Sequence, residues 1–140
     1  MNKKDFTVLV VEDNLIMLTM LVNVLADIGY RNVTTARNGM EAWEKIQSPD
    51  IRIDLVISDM LMPEEDGLQL LQRIRNSDES WNLPFIMVTC VDELDKIMSV
   101  TEQHVDAYLV KPVTEAVLRP KVYSALKKAY DPDPYHRALH

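Results

Sequence analysis

The stretch Leu55-Val56-Ile57-Ser58-Asp59 is an apolar run that ends on a carboxylate, and it decides the fold. A continuous apolar run of this length is typical of a strand covered on both faces, as in a parallel sheet. Three other runs share this form: residues 6–11 precede Glu12 and Asp13, residues 85–88 precede Thr89, and residues 108–110 precede Lys111. Because parallel strands present their carboxyl ends at one edge of a sheet, we expect these polar groups to share a pocket.

Segments with helical periodicity separate the strands, so that strand and helix alternate along the whole chain. The weakly alternating residues 32–36 predict an edge strand. Five such units with short connections predict an α/β fold, in which a doubly wound, five-stranded parallel sheet carries five helices on its two faces. The helices are predicted to begin after Asp13 or Asn14, at Asn38-Gly39, near Gly67, near residue 92 and after Thr114.

Two of these helices carry specific expectations. The first is predicted to turn four apolar side chains inward: Leu15, Leu18, Val22 and Leu25. Gly29 is placed to end it. The last helix contains Pro120, and a proline past the first turn costs about 3 kcal/mol. We therefore expect that helix to be kinked at Pro120 or to begin near Arg119.

The composition is that of one globular domain, since 47% of the 140 residues are hydrophobic and 26% are charged. No stretch reaches the roughly 18 uninterrupted apolar residues of a membrane span, and no apolar signal core follows the first lysines. A net charge of −7 opposes direct binding to nucleic acid. The lone Cys90 excludes an internal disulfide, and the three histidines lack zinc-ligand spacing. We expect a soluble cytoplasmic protein without membrane or nucleic-acid contacts.

The three carboxylates of the predicted pocket, Glu12, Asp13 and Asp59, point to a divalent cation. Two unit charges about 4 Å apart repel by roughly 4 kcal/mol at an effective dielectric of about 20, so a cation among them would relieve the repulsion. Oxygen ligands without histidine or cysteine favour Mg²⁺ or Mn²⁺. The alternative is that these acids only cap helices, which fits Asp13 well and Glu12 in part but leaves Asp59 unexplained.

Lys111 and Thr89 add an amine and a hydroxyl at the same edge, and both suit a phosphoryl oxygen. An ordinary ion pair with one of the acids is the alternative role for Lys111. A helix cap or a plain strand residue is the alternative for Thr89. The Lys111-Pro112 bond is a candidate cis peptide, which the sequence leaves open.

Taken together, these residues resemble a known family. The acidic pair Glu12-Asp13, the segment from Asp59 to Gly67, Thr89 and the segment from Tyr108 to Pro112 resemble the receiver domain of two-component response regulators. The resemblance covers about residues 5–129 and leaves residues 130–140 as a tail or the start of a linker. It implies the flavodoxin-like strand order 2-1-3-4-5.

The resemblance also implies roles for the pocket. Asp59 would accept a phosphoryl group from a histidine kinase or a histidine phosphotransfer protein. Asp13, Asp59 and the backbone carbonyl of Leu61 would bind Mg²⁺, while Glu12 would act mostly through water. The remaining two groups of the pocket, the Lys111 amine and the Thr89 hydroxyl, would hold the phosphoryl oxygens. Such a protein is a phosphoacceptor that assists its own phosphorylation and slow dephosphorylation, rather than an enzyme.

The output of such a domain would be a change of surface. Thr89 would move inward after phosphorylation, and Tyr108 would turn inward behind it. The face formed by the fourth helix, the fifth strand and the fifth helix would then bind a downstream protein, as a monomer or as a phosphorylation-dependent dimer.

Three positions depart from the family pattern, and two further apolar residues bear on its chemistry. His104 occupies a usual glycine position before the fifth strand, and we expect it to reshape the output face. Cys90 replaces a small alanine, and we expect a small buried side chain rather than a redox-sensitive thiol. Glu65 replaces a common methionine, and we expect it to be solvated. Leu61 and Val91 are both apolar, and we expect them to crowd the path of an attacking water and slow dephosphorylation.

Other functions remain as alternatives. An aspartate-nucleophile phosphohydrolase usually needs an acid two residues after the nucleophile, where Leu61 stands. A nucleotide- or flavin-binding domain of similar architecture would want a glycine-rich loop after the first strand, and the three glycines lie elsewhere. A degenerate receiver that acts only as an interaction module would not need the intact acids and lysine. The chain could also be a receiver fragment of a larger regulator with a C-terminal output domain.

Overall fold

The computed structural model describes residues 3–62, 64–90 and 105–129. Its centre is a parallel sheet in the order β2-β1-β3-β4-β5. The strands are β1 (Val8–Val11), β2 (Val33–Ala36), β3 (Leu55–Asp59), β4 (Phe85–Thr89) and β5 (Ala107–Val110). The helices are α1 (Leu15–Asp27), α2 (Gly39–Gln47), α3 (Gly67–Arg75) and a C-terminal helix (Glu115–Ala129). The predicted fold class and strand order are therefore confirmed.

Some of the predictions fall outside the described residues. The predicted helix near residues 92–103, His104, Val91, Pro63 and the tail after residue 129 belong to this group. Within the described ranges, no helix is both long enough and apolar enough to cross a membrane.

The sheet is covered on both faces because successive side chains of a strand point to opposite sides. One core lies under α1 and the C-terminal helix, and the other lies under α2 and α3. The central strands contribute fully buried side chains to both cores. These are Val10, Ile57 and Val88 in the first core, and Leu9, Val56 and Met87 in the second. This two-sided burial is the reason that the strand sequences are continuously apolar.

Helix α1 begins at its predicted cap, since the Met17 backbone N–H donates to Asn14 Oδ1 at 3.0 Å. It ends at Asp27, and Gly29 lies just past the cap residue Ile28, with a φ of 103° that suits glycine and terminates the helix as predicted. The prediction that Leu15 faces the core is wrong, because its side chain is 73% exposed. The buried residues of the helix are Leu21 and Leu25 in its second half, whereas Leu15 and Ile16 in its first turn are exposed.

The C-terminal helix begins at Glu115, so the alternative start near Arg119 is wrong. Thr114 caps it as predicted, with its Oγ1 accepting from the Val117 N–H at 3.4 Å. The helix continues through Pro120. Its inner face is buried against the sheet by Leu118, Val122 and Leu126. This burial stabilises the helix against the loss of one backbone hydrogen bond at the proline.

The amino edge of the sheet, where the strands begin, is held by a charge cluster that we call the Arg75 staple. Arg75 Nη1 donates to the Trp81 carbonyl at 3.0 Å and to the Leu83 carbonyl at 2.6 Å. Its Nη2 lies 3.4 Å from Asp106 Oδ2, which also accepts from the Phe85 N–H at 2.7 Å. The staple therefore joins the end of α3 to the starts of β4 and β5.

Strand β2 is an edge strand, as predicted. Lys45 of α2 reaches it, with Nζ donating to Thr34 Oγ1 at 3.2 Å and to the Thr35 carbonyl. The helix is thereby fastened to the outermost strand by side-chain hydrogen bonds as well as by apolar contacts.

Candidate functional site

The end of β1 contributes Glu12 and Asp13. Glu12 still belongs to the sheet, because its backbone N–H donates to the Ala36 carbonyl at 3.0 Å. Its side chain is buried, and Oε2 accepts from the Asn14 N–H at 3.2 Å, whereas Oε1 makes no hydrogen bond. Asp13 is exposed at the turn into α1. This turn therefore presents one buried and one exposed carboxylate at the edge.

Asp59 ends β3 and is buried, with 6% of its surface exposed. Its Oδ1 accepts from the Met60 N–H at 3.0 Å. The chain then folds back so closely that the Gly67 N–H donates to the Met60 carbonyl at 2.9 Å. A Cβ atom at residue 67 would overlap the backbone oxygen of Asp59, so only glycine lets the loop close here.

Lys111 follows β5 and joins the two acidic ends. Its Nζ lies 3.1 Å from Asp59 Oδ1 and 3.6 Å from Glu12 Oε1. Its backbone N–H donates to the Thr89 carbonyl at 2.8 Å, and the Lys111–Pro112 peptide bond is cis. The predicted amine therefore sits between two of the predicted carboxylates.

The electrostatics of the cluster are those of crowded buried charge. Burial, aided by the charge of Asp59 and opposed by the Asn14 N–H, raises the pKa of Glu12 from 4.5 to about 7. Burial also raises the pKa of Asp59, although the contact with Lys111 opposes the rise. Burial lowers the pKa of Lys111, but Asp59 and Glu12 outweigh it, so that the net pKa is raised. Lys111 thus stays charged while the acids hold protons more readily than usual.

The acidic residues fit a divalent cation. One carboxylate oxygen from each of Glu12, Asp13 and Asp59 can be chosen so that all lie within 4.8 Å of one another. All three donors are oxygen, the ligand type that Mg²⁺ and Mn²⁺ prefer. Oε1 of Glu12 has no hydrogen bond, and burial is the main cause of the raised pKa values of Glu12 and Asp59, so a bound dication would stabilise the ionised form of both carboxylates.

Thr89 and Tyr108 lie on the two neighbouring strands, β4 and β5. Thr89 is buried, and its Oγ1 lies 3.1 Å from the Cys90 carbonyl and 3.9 Å from Met60 Sδ. Tyr108 is partly buried against the core under α2 and α3. Leu61 lies in the loop after β3, and its side chain is half exposed. Thr89 therefore shares the pocket edge, while Tyr108 lies behind it.

Cys90 is exposed, so the prediction of a small buried side chain is wrong. It follows the last residue of β4, where the pairing that covers the strand ends. The family pattern predicts a small side chain at this position but does not predict whether that side chain is buried.

Glu65 is also placed differently from the prediction, which had it solvated. It is only 8% exposed and forms an ion pair with Arg73 of α3. Arg73 was not among the predicted site residues. The one signal in the sequence is an acid and a base eight residues apart across a helix start, and such spacing is too common to be diagnostic.

The family assignment follows from comparison with known proteins. The family model for the response regulator receiver domain matches residues 8–123, which include the acidic turn, Asp59, Thr89 and Lys111. The chain belongs to the response regulator receiver domain family.

Curated relatives and solved structures agree with this assignment. Chemotaxis protein CheY1 of Helicobacter pylori is 34% identical over 114 residues, which cover 81% of this chain and 91% of the relative. Chemotaxis protein CheY-3 of Vibrio cholerae is 33% identical over 119 residues, which cover 85% and 90%. The structure of chemotaxis response regulator CheY4 of Vibrio cholerae matches with a TM-score of 0.76 at 30% identity, covering 86% of this chain and 98% of the other. The receiver domain is therefore of the chemotaxis-like type.

Proposed function

We propose that this receiver domain is a phosphorylation switch in which Asp59 accepts a phosphoryl group from a histidine kinase or a histidine phosphotransfer protein. The observation that carries the proposal is the position of Lys111 Nζ, 3.1 Å from Asp59 Oδ1 and 3.6 Å from Glu12 Oε1. The carboxylate of Asp59 would act as the nucleophile. The cation fixed beside it would balance the negative charge that the phosphoryl group brings. The receiver unit is proposed to span residues 5–129.

The residues that would hold Mg²⁺ are Asp13, Asp59 and the backbone carbonyl of Leu61, with Glu12 acting mostly through water. When bound, the dication supplies charge neutralisation for the phosphoryl oxygens. The orphaned Glu12 Oε1 and the oxygen-only donor set support this assignment.

The transfer step balances as a simple displacement. A carboxylate oxygen of Asp59 forms a bond to phosphorus, and the bond from phosphorus to the donor nitrogen breaks, which leaves a neutral histidine after proton uptake. Lys111 Nζ donates to a phosphoryl oxygen, and the Thr89 hydroxyl donates to another. The protein is therefore a phosphoacceptor rather than a multiple-turnover enzyme.

The readout is proposed to run through Thr89 and Tyr108 toward the face formed by the fourth predicted helix, the fifth strand and the C-terminal helix. A new dianionic group at Asp59 would draw the Thr89 hydroxyl away from the Cys90 carbonyl, which it reaches at 3.1 Å. Tyr108 would follow into the space behind it. A downstream protein would bind the changed face, and His104 would contribute to its shape.

The test is phosphorylation by a small-molecule donor. Wild-type protein incubated with acetyl phosphate and Mg²⁺ is expected to take up one acid-stable, base-labile phosphoryl group per chain, as measured by intact mass. Asp59→Asn is expected to take up none.

A matched control lies at the other end of the same strand. Asp54 precedes β3 and is 5% exposed against 6% for Asp59, so Asp54→Asn removes an equally buried carboxylate away from the pocket. It is expected to be phosphorylated as wild type is. Label on Asp59→Asn, or continued turnover of phosphomonoesters by the wild type, would contradict the proposal, and the second result would favour a phosphohydrolase.

A further inference from the structure

Glu65 lies in the loop between β3 and α3, six residues after the phosphoacceptor position. Its side chain is nine-tenths buried, with 10% of its surface exposed. Oε1 is paired with the guanidinium of Arg73, while Oε2 is buried without a hydrogen bond. A buried carboxylate with one half unsatisfied is costly, so the ion pair to Arg73 is what makes its burial tolerable.

The backbone of the same residue is fixed to the start of α2. The Gly39 N–H donates to the Glu65 carbonyl at 2.8 Å. A Cβ atom at residue 39 would lie 2.8 Å from both Glu65 Cγ and its carbonyl oxygen, so the approach is as close as glycine allows. Glu64 adopts a φ of 66°, and Asn38 Nδ2 donates to its carboxylate at 3.4 Å. The loop is therefore pressed against the α2 start at two consecutive residues.

Arg73 links this contact to a second helix. It lies on α3, and its guanidinium carbon is 5.7 Å from the centre of the Trp43 ring on α2. A cation over an indole ring adds to the ion pair in holding the guanidinium. The far end of the loop is fixed as well, because Asp66 and Gln69 form a capping box at the start of α3.

We propose that Glu65 and Arg73 are positioning residues that hold residues 60–62 and 64–66 so that the Leu61 carbonyl faces a bound divalent cation. This inference rests on the proposed function, because it assigns Leu61 its metal-binding role. Asp59 and Gly67 fix the two ends of the loop, and the Glu65–Arg73 pair fixes its middle. Without Arg73, the buried Glu65 carboxylate turns outward to reach water and carries the loop backbone with it.

The sign of the effect separates positioning from plain electrostatics. Removing a cation makes the domain more negative, and that change alone would strengthen binding of Mg²⁺. Loss of positioning weakens binding, because a displaced carbonyl no longer completes the ligand set. A purely structural role would lower the free energy of unfolding and leave the Mg²⁺ dissociation constant of the folded protein unchanged.

The experiment compares Arg73→Met with Arg119→Met in the full chain. Both variants remove one positive charge from an ion pair, and the arginine side chains are similarly exposed at 44% and 49%. The Arg119–Glu115 pair lies on the C-terminal helix, away from the loop. Mg²⁺ titrations followed by NMR are expected to give about tenfold weaker binding for Arg73→Met, and unchanged or slightly tighter binding for Arg119→Met.

A second variant and a second readout guard against misfolding. Glu65→Gln keeps the size of the side chain but removes a negative charge, which by itself weakens Mg²⁺ binding, so this variant is judged by hydrogen exchange of the Gly39 amide, which is expected to accelerate. Hydrogen exchange of the Gly39 amide, which donates to the Glu65 carbonyl, is expected to accelerate in Arg73→Met and not in Arg119→Met. The amides of the central strands are expected to stay protected in both.

The outcomes separate the two proposals. Wild-type affinity in Arg73→Met and an unchanged Gly39 amide in both loop variants, with normal phosphorylation of the wild type, would overturn the positioning role alone. Absence of Mg²⁺ binding in the wild type would overturn the proposed function and this inference with it. Tighter binding in Arg73→Met would show that its charge matters and its positioning role does not exist.

Discussion

Each of the two edges of the sheet holds a partly buried cation, and the number of anions around that cation differs between the edges. At the amino edge, Arg75 faces one carboxylate, Asp106, and donates to two carbonyls as well. At the carboxyl edge, Lys111 faces both Glu12 and Asp59, and a third acid lies beside them. The first cluster is balanced in charge, and the second has more anion than cation.

The two edges also differ in whether their buried polar atoms are hydrogen-bonded. Among the described residues, the buried side-chain atoms without a hydrogen bond are Glu12 Oε1 and Glu65 Oε2, one in the carboxyl-edge cluster and the other in the loop beside it. Neither atom belongs to the Arg75 staple. A balanced cluster stabilises the fold by itself, whereas a cluster with excess negative charge would be stabilised further by a bound cation.

The largest effect on stability is expected from removing the Arg75 staple at the amino edge. Arg75→Met should lower the free energy of unfolding by about 3 kcal/mol, because it removes the charged partner of the partly buried Asp106 carboxylate and the donors to two loop carbonyls. Urea denaturation monitored by circular dichroism measures it. Arg119→Met, which removes an exposed ion pair, should change stability by about 0.5 kcal/mol or less. Equal effects of the two substitutions would mean that the staple is not a stabilising centre.

The next effect concerns pH at the unbalanced side. Folded Glu12 has a pKa of about 7 against 4.5 for the ordinary group, so the folded state binds the extra proton between these values. Stability is therefore expected to fall as pH rises through about 5 to 8. In EDTA, the free energy of unfolding should fall by about 2 kcal/mol more in the wild type than in Glu12→Gln over this pH range. Urea midpoints across this pH range provide the measurement, and parallel profiles would refute the assignment.

A smaller effect on stability should come from binding Mg²⁺ at the carboxyl edge. Mg²⁺ at ten times its dissociation constant is expected to raise the free energy of unfolding by about 1.4 kcal/mol, since only the folded state assembles the ligands. Asp13→Asn should lose most of this increment. Thermal unfolding with and without MgCl₂ gives the comparison. Equal increments in both proteins would place the cation elsewhere.

The smallest effect tests the contrast by one substitution at each edge. In EDTA at pH 8, Asp59→Asn should raise the free energy of unfolding by about 1 kcal/mol, because it removes an anion that burial disfavours. Asp106→Asn should lower it by about 1 kcal/mol, because it weakens the pair with Arg75. The two are measured side by side in urea. The same sign for both would contradict the idea that the edges differ in charge balance.

The sequence predicts the carboxyl edge better than the amino edge for a physical reason. Strand ends are visible as apolar runs that stop, so the pattern of residues alone is enough to place Glu12, Asp59 and Lys111 together. The partners of Arg75 cannot be found in this way, because two of them are backbone carbonyls, which every residue carries. Contacts of that kind depend on how loops fold and not on the residue type.

The errors have a similar origin. The sequence suggests that Glu65 is a solvated loop acid, because the groups that bury it, Arg73 and the start of α2, are not its neighbours along the chain. Leu15 fits the apolar spacing of α1, yet its first turn is exposed and the burial begins farther along the helix. Periodicity identifies which side of an element is apolar, whereas only the packing shows how far along that element the cover extends.

The Lys45 contact has a consequence for association of the sheet with other strands. The Asn32 and Ala36 carbonyls accept from β1 and from Glu12 just after it, so the alternation of the backbone turns the Thr35 carbonyl toward the open side of β2. Lys45 donates to that carbonyl and brings a positive charge to an edge only four residues long. An incoming strand would have to displace the amine before it could pair. The open border of the sheet is therefore guarded against edge-to-edge aggregation by a side chain of its own neighbouring helix.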